Sequence, residues 1–221
     1  MHETVKKLIN IQNLIKSKLS DLKLIDRSPK IIAVSKTFKL DHINPLIDHG
    51  HIDFGENKVQ EAVEKWTDIK KEKSELKIHL VGRLQTNKVK FALKVFDYIH
   101  SLDSKKLAVK ISEEQAKHKI KPKIFIQINI GDESQKGGIR VDELEEFYNY
   151  CMELELEIIG TMCLPPISDE PEKYFSRMNY LNKKLNFKES SMGMSSDYLE
   201  AIQYNATYLR IGTSIFGERT I

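Results

Sequence analysis

The chain has 221 residues, of which 40% are hydrophobic and 30% are charged, and its 35 basic and 32 acidic residues give a formal net charge of +3. This composition is ordinary for a globular protein and argues against the disordered and fibrous classes. The charges are well mixed, and no basic block carries interleaved aromatic residues, so we expect no nucleic-acid partner.

The sequence carries no pattern typical of export or membrane insertion. Charged and polar residues interrupt every apolar run near the N-terminus, unlike a signal peptide. No stretch approaches the roughly 20 apolar residues of a membrane span. Cys151 and Cys163 have no metal-ligand spacing and form no disulfide framework. We therefore expect a cytoplasmic protein with no membrane partner, no metal site and no disulfide.

The predicted elements begin with an amphipathic helix and continue as an alternation of strands and helices. Apolar residues spaced by three and four indicate the helix, at Leu8, Ile11, Ile15, Leu19 and Leu22. Helical patterns then separate eight short β-prone segments, at residues 31–35, 51–54, 77–81, 97–100, 123–130, 156–162, 187–192 and 207–211.

Eight strands separated by helices indicate parallel βαβ units. We predict an α/β fold, a single (β/α)8 TIM barrel with an extra N-terminal helix, forming one domain over residues 1–221. An open doubly wound sheet is the alternative, and the strand count favours the barrel. The seventh segment, FKESSM, has the least strand character because it is neither strongly apolar nor regularly alternating.

The first strand, IIAVSK, ends in a lysine. Side chains alternate along a strand, so Ile32, Val34 and Lys36 share one face. If that face is the packed interior, Lys36 lies at its rim. The common role of such a residue is a solvated strand end, and the alternative is a reactive amine at the mouth of the core.

Two glycine-containing segments follow the last two strands, where barrels often bind phosphate. In SMGMSSD, we expect Ser195 or Ser196 to cap the next helix, and Gly193 to let a ligand approach the backbone. In RIGTSIFG, residues Gly212 and Thr213 supply backbone and hydroxyl groups. Each segment alone fits an ordinary capped helix, but together they favour a shared phosphate site.

Three further polar residues fall at or near strand ends. Asn57 is predicted in the first turn of the helix after strand two, either as a simple helix start or as a ligand contact. His79 is predicted to face the barrel interior, as a satisfied core group or as a ligand. Arg210 lies in an apolar strand and needs an acceptor, because an unpaired buried charge is costly.

A phosphate site facing a lysine suggests a carbonyl-bearing phosphate ester held as a Schiff base. A lysine attacks a carbonyl only as the free amine, which desolvation at the edge of an apolar core favours. Pyridoxal phosphate and sugar phosphates both fit this chemistry. The residues alone do not separate them.

Six motifs taken together resemble the pyridoxal phosphate homeostasis protein family. The resemblance runs from about residue 5 to the C-terminus, in order and without large insertions. The motifs are AVSKT (33–37), DFGENKVQE (53–61), HLVGRLQTNK (79–88), IGTMCLPP (159–166), SMGMSSDYLEAI (191–202) and RIGTSIFGER (210–219).

The resemblance implies a barrel similar to the N-terminal domain of alanine racemase, with pyridoxal 5′-phosphate (PLP) bound as a Schiff base on Lys36. It implies phosphate contacts from the SMGMS and RIGT segments, two pocket-lining polar residues and an arginine near the cofactor ring. The implied cofactor-binding residues are Lys36, Asn57, His79, Met194, Ser195, Arg210, Gly212 and Thr213.

The family resemblance implies a role in vitamin B6 homeostasis, as a PLP carrier with no catalytic residue, whose partners include PLP-dependent apoenzymes. An arginine beside the pyridine nitrogen would disfavour its protonation and weaken the ring as an electron sink. The sequence ends at Ile221, soon after the eighth strand, and we expect neither a second racemase domain nor an oligomer. The alternatives are a racemase-like PLP enzyme and, from the residues alone, a Schiff-base sugar-phosphate aldolase.

Overall fold

The strands form a closed parallel barrel in chain order, with β1 paired to both β2 and β8. The computed structural model describes residues 1–218. The closed barrel confirms the predicted fold and excludes the open doubly wound sheet. The strands are β1 Lys30–Val34, β2 Asp53–Glu56, β3 Lys77–Leu80, β4 Tyr98–Leu102, β5 Lys123–Ile128, β6 Ile158–Cys163, β7 Glu189–Met194 and β8 Tyr208–Ile211.

Helices follow the strands and cover the outside of the barrel. Among the described residues they are α1 Glu3–Asp21, α2 Leu40–Asp48, α3 Val59–Glu72, α4 Val89–Ala92, α5 Lys105–His118, α6 Leu144–Glu153, α7 Pro171–Lys184, α8 Tyr198–Gln203 and α9 Thr213–Phe216, with short 3₁₀ turns at Thr86–Lys88 and Val141–Glu143. Helix α1 is the predicted extra N-terminal helix. It contacts α2, α8 and α9, where the barrel closes between β8 and β1.

Alternation along each strand divides the sheet into two faces with different chemistry. On β1, Ile31 and Ala33 pack outward into the large core beneath the helices. Ile32 and Val34 point into the barrel, in a smaller apolar cluster with residues of other strands. The predicted alternation of IIAVSK is therefore confirmed, and the chain direction carries the next inward position, Lys36, to the carboxyl end of the barrel.

The outer core is formed by the apolar stripes of the helices. In α3, Val59, Ala62 and Trp66 are buried, at the i, i+3 and i+7 positions of one helix face. The Trp66 ring packs on Phe54 of β2 with a centroid distance of 5.0 Å. Full burial of one aromatic side chain contributes about 1.5–3 kcal/mol, so such pairs hold the helices on the sheet.

Both cysteines are buried free thiols, and burial raises the pKa of Cys151 and of Cys163 to about 12. Within residues 1–218, none of the helices is both long enough and apolar enough to cross a bilayer.

Candidate functional site

A cavity of about 430 Å³ opens at the carboxyl end of the barrel. Residues just before or after six strand ends line it, and they are Val34, Lys36, Asn57, Val81, Leu164, Met194, Ser195, Ser196, Arg210, Gly212 and Thr213. Seven of the eight predicted site residues therefore share one cavity, and His79 is the exception. A larger cavity of about 500 Å³, lined by residues such as Arg27 and Asp53 at the opposite mouth, contains none of them.

Lys36 lies two residues beyond the end of β1 and is half-buried at the wall of the cavity. The next residue, Thr37, has a backbone φ of +69°, a conformation that a β-branched residue rarely adopts. Strained backbone of this kind persists only where the surroundings fix it. The lysine therefore extends from a backbone turn that other contacts must hold.

Those contacts come from β2 and α3. The Ser35 hydroxyl donates to Glu56 Oε1 at 2.8 Å, and Lys65 Nζ donates to the Ser35 carbonyl oxygen at 3.0 Å. The Thr37 backbone N–H donates to Glu61 Oε1. Residues on both sides of Lys36 are thus bound to one polar cluster, which fixes the position of the lysine backbone.

Glu56 is the centre of this cluster and is fully buried. Besides Ser35, its Oε1 atom accepts from Lys65 Nζ at 2.9 Å and from Trp66 Nε1 at 3.0 Å. Burial raises the pKa of Glu56, and the charge and hydrogen bond of Lys65 oppose that rise. Because Lys65 also pairs with Glu61 at 2.9 Å, a single lysine holds two carboxylates and the turn before Lys36 together.

The opposite side of the cavity is built by the segments after β7 and β8. Ser195 Oγ accepts the backbone N–H of Ser214 at 3.3 Å and so joins the two segments. With Ser196, Gly212 and Thr213, this side presents hydroxyl groups and close backbone to the cavity. The predicted neighbouring positions of the SMGMSSD and RIGT segments are confirmed.

Two local predictions for SMGMSSD are wrong. Helix α8 begins at Tyr198 with Asp197 as its N-cap, not Ser195 or Ser196. The Asp197 carboxylate accepts the Met194 N–H at 2.6 Å and closes the turn, which leaves both serines outside the helix. Gly193, at φ +90°, is not among the residues that line the cavity, and its lack of a side chain allows close packing on α8, because an added Cβ would lie 2.8 Å from the Ala201 Cβ.

Asn57 also differs in detail from the prediction. It lies between β2 and α3, before the N-cap Lys58, and not in the first turn of the helix. A Cβ added to Gly82 would fall 2.3 Å from the Asn57 carbonyl oxygen. Glycine at position 82 is therefore needed for the close approach that fixes Asn57 at the cavity wall.

Arg210 of β8 is only 5% exposed and reaches the cavity from inside the barrel. Its guanidinium donates to Ser191 Oγ at 2.7 Å and to the Cys163 carbonyl oxygen at 2.8 Å. The predicted need for an acceptor is met by two neutral groups. Burial lowers the pKa of Arg210, although it stays far above neutral pH because an arginine is effectively always protonated.

His79 lies beneath the cavity and not on its wall. It is fully buried in the barrel interior, as predicted, with Nε2 3.0 Å from Asp53 Oδ1 and Nδ1 3.0 Å from His100 Nε2. Strand β3 continues past His79, so the next inward residue, Val81, takes the place at the cavity wall. The family resemblance implied that His79 lines the pocket. The structure instead places His79 one layer of side chains below the cavity.

Sequence reasoning missed two groups of residues. Ser196, Val81 and Leu164 line the cavity, and their positions at or after the ends of predicted strands were the available signal. His100 and Ser191 lie beneath it, joined to each other at 2.8 Å. No sequence pattern indicated that contact, because it depends on closure of the barrel.

Comparison with known proteins agrees with this site and fold. The family described as "Alanine racemase, N-terminal domain" matches residues 13–220. A pyridoxal phosphate homeostasis protein of Aquifex aeolicus is 38% identical over 200 residues, covering 86% of this chain and 87% of the relative. One from Pasteurella multocida is 35% identical over 223 residues, covering 96% of each chain.

Solved structures of related proteins show the same similarity in sequence and fold. PipY of Synechococcus elongatus without PLP is 30% identical with a TM-score of 0.82, covering 92% of this chain and all of the other. PipY with PLP bound is 31% identical with a TM-score of 0.77 over the same shares. An alanine racemase of Clostridium difficile shares the fold at 16% identity and a TM-score of 0.75, and this chain covers 57% of it. This chain therefore belongs to the pyridoxal phosphate homeostasis protein family, as its six motifs predicted.

Proposed function

We propose that this protein binds pyridoxal 5′-phosphate in the cavity at the carboxyl end of the barrel and serves in intracellular vitamin B6 homeostasis. The observation that carries the proposal is the convergence of Lys36 with the hydroxyl-bearing segments after β7 and β8 on one cavity. The PLP-bound structure of the relative PipY supports the same ligand. Bound PLP supplies an aldehyde that condenses with an amine, and one water leaves.

Lys36 would provide the amine that reacts with this aldehyde. Its position is supported by the Glu56 and Lys65 cluster, which holds the backbone on both sides of it. The apolar residues Val34 and Val81 line the same cavity as Lys36. The neutral amine is the form that reacts with an aldehyde.

The phosphate would be held by the hydroxyls of Ser195, Ser196 and Thr213 and by the backbone of Gly212. These groups are hydrogen-bond donors of the kind that barrels place after their last two strands. Asn57 would contact the ligand from the β2 side. Met194 would pack against it, since the residue is half-buried at the cavity wall.

Arg210 would lie at the ring of the cofactor. A permanent cation there disfavours protonation of a pyridine nitrogen and so weakens the electron sink that amino-acid chemistry needs. This supports a carrier or reservoir over a racemase. We further propose that the protein is a cytoplasmic monomer with one domain that delivers PLP to apoenzymes, and two buried free thiols are compatible with a reducing compartment.

Visible absorption of the purified protein after incubation with PLP tests the proposal. The wild-type protein should gain the absorption band of a PLP Schiff base, and the Lys36→Ala variant should lack it. The matched control is Lys39→Ala, which removes an exposed lysine three residues away and should leave the band unchanged. A wild-type protein that cannot be loaded with PLP would contradict the proposed function.

Exchange of the α-proton of amino acids distinguishes the carrier hypothesis from the racemase hypothesis. The loaded protein is mixed with amino acids in heavy water and followed by NMR. The carrier reading predicts no turnover, whereas rapid exchange would replace it with an enzymatic function.

A further inference from the structure

Five polar side chains form a continuous hydrogen-bonded chain across the interior of the barrel. Asp53 Oδ1 lies 3.0 Å from His79 Nε2, and His79 Nδ1 lies 3.0 Å from His100 Nε2. His100 Nδ1 lies 2.8 Å from Ser191 Oγ, which accepts from Arg210 Nη1 at 2.7 Å. All five are buried. The chain joins the amino-terminal side of the barrel to the floor of the cofactor cavity.

Asp53 and Arg210, at the two ends of this chain, determine which atom donates and which accepts in each hydrogen bond. An ionised Asp53 only accepts, so His79 must donate from Nε2, and a neutral His79 then accepts at Nδ1. His100 must therefore donate from Nε2 and accept at Nδ1, and the Ser191 hydroxyl supplies that proton. The remaining lone pairs of Ser191 accept from Arg210, which can only donate.

The protonation states agree with this direction. Burial lowers the pKa of His79, and it lowers the pKa of His100 well below its usual value, so both rings are neutral at pH 7. Burial alone would raise the pKa of Asp53, but the hydrogen bond from His79 opposes that rise and the net pKa is lowered. A buried anion and a buried cation are thus connected through three neutral groups.

The aromatic neighbours hold the two imidazoles in place. His79 stacks on Tyr98 with a centroid distance of 4.2 Å, and His100 stacks on Phe125 at 4.3 Å. Stacked rings cannot rotate to exchange their hydrogen-bond partners without losing this packing. The chain is therefore a rigid support and not a set of interchangeable contacts.

We propose that His100 and Ser191 are positioning residues for Arg210, and that the chain from Asp53 holds the guanidinium at the floor of the cavity through two neutral Nε2–H histidine tautomers. Without the chain, the guanidinium would keep only the Cys163 carbonyl among these acceptors and could turn toward the phosphate. The role of Arg210 toward the ring rests on the proposed function, whereas the tautomers belong to the protein alone.

The tautomers are tested by ¹⁵N NMR of the histidine rings in the ligand-free, full-length protein at pH 7. We expect His79 and His100 to be neutral, each with its proton on Nε2. A proton on Nδ1 of His100, or an imidazolium at either residue, would overturn the proposal. Because no PLP is present, this result stands whether or not the proposed function holds.

The positioning role is tested by PLP affinity in a double-mutant cycle. Ser191→Ala should weaken PLP binding about tenfold, the loss of a hydrogen bond to a charged group. In an Arg210→Gln background the same change should have an effect below about twofold, because Ser191 acts through Arg210. Equal effects in both backgrounds, or none in either, would overturn the proposal.

Ser190→Ala is the matched control for this cycle. Ser190 precedes Ser191 on β7 and is likewise buried, but no hydrogen bond of its hydroxyl is found among the described residues. We expect unchanged PLP affinity in this variant. A tenfold loss there as well would assign the Ser191 effect to packing of β7 and overturn the positioning role.

Discussion

The two faces of the barrel sheet differ in what they bury. The outer face packs under the helices through residues such as Phe54, Ile78 and Leu209, in one large apolar core. The inner face combines a small apolar cluster with the Asp53 to Arg210 chain and opens into the cavity at the carboxyl end of the barrel. One sheet therefore separates the two tasks, because the period of two along each strand sends alternate residues to stability and to function.

The difference has an energetic consequence. Apolar burial on the outer face stabilises the fold at about 25 cal/mol per Å². Polar groups on the inner face would lower stability if they were unpaired. In the Asp53 to Arg210 chain each polar group has a hydrogen-bond partner, so its burial has little net effect on stability. Substitutions on the two faces should therefore produce different patterns of stability and ligand affinity.

The largest expected effect is on the outer face. Phe175 of α7 is fully buried in the outer core, and Phe175→Ala should lower the free energy of unfolding by about 3–5 kcal/mol. Urea denaturation measures this loss, and PLP affinity of the folded protein should not change. Phe91→Ala, at a site 46% exposed, is the control with a small effect. Loss of affinity in Phe175→Ala would break the separation of the faces.

The Glu56 and Lys65 cluster lies between the two regions, so it should affect both properties. Lys65→Met leaves the buried Glu56 without its ion-pair partner and should cost about 3 kcal/mol of stability. It should also weaken PLP binding, because the turn before Lys36 loses a contact. Urea denaturation and PLP titration measure the two effects.

A double variant sharpens this prediction. Glu56→Gln combined with Lys65→Met removes both charges and should recover part of the lost stability. Wild-type stability in Lys65→Met alone would show that the ion pair does not hold the turn.

The buried His79 and His100 and the half-buried His51 predict a pH dependence of stability. Burial lowers the pKa of His51, His79 and His100 in the folded protein, whereas the unfolded values are about 6.5. Below that pH the unfolded chain binds more protons, so stability falls as pH falls. The slope is up to about 1.4 kcal/mol per pH unit for each histidine.

Variants assign this slope to the inner face. His100→Gln should reduce the slope of stability against pH between pH 6.5 and 5.5 by up to about 1.4 kcal/mol per pH unit, the contribution of one histidine. Urea denaturation at each pH measures the slope. His42→Gln, at an exposed site on α2, should leave it unchanged. An unchanged slope in His100→Gln would mean that His100 is not neutral in the folded protein.

The smallest expected effect lies at the cavity mouth. Ser195→Ala removes one hydroxyl from the phosphate side and should weaken PLP binding about fivefold, the value of one hydrogen bond. Stability should fall by about 1 kcal/mol or less, since the residue is half-buried and its hydroxyl accepts one backbone N–H. Calorimetric titration with PLP measures the affinity, and an unaffected affinity would remove Ser195 from the site.

The strands of the fold could be predicted from the sequence because alternation and β-branched residues mark them, but their ends could not. The second strand begins at Asp53 and not at His51, because the His51 N–H bonds back to Leu46 and completes the end of α2. The weak signal of FKESSM has a physical cause as well. Strand β7 buries Ser190 and Ser191, so its apolar character is low on both faces.

The mouth of the site was predictable and its floor was not. Residues after strand ends meet at the carboxyl end of any parallel barrel, so Lys36 and Thr213 could be placed together from the sequence. His100 and Ser191 are 91 residues apart in the chain. Only strand register and barrel closure bring them together, and neither can be predicted from a local sequence pattern.

We propose above all that Lys36 is the residue that holds PLP. The loaded wild-type protein is reduced with borohydride, which converts a Schiff base to a stable secondary amine, and the site is located by peptide mass spectrometry. We expect one pyridoxyl group on Lys36 of the wild-type protein and none in Lys36→Ala. A pyridoxyl group on another lysine, with Lys36 unmodified, would contradict this proposal.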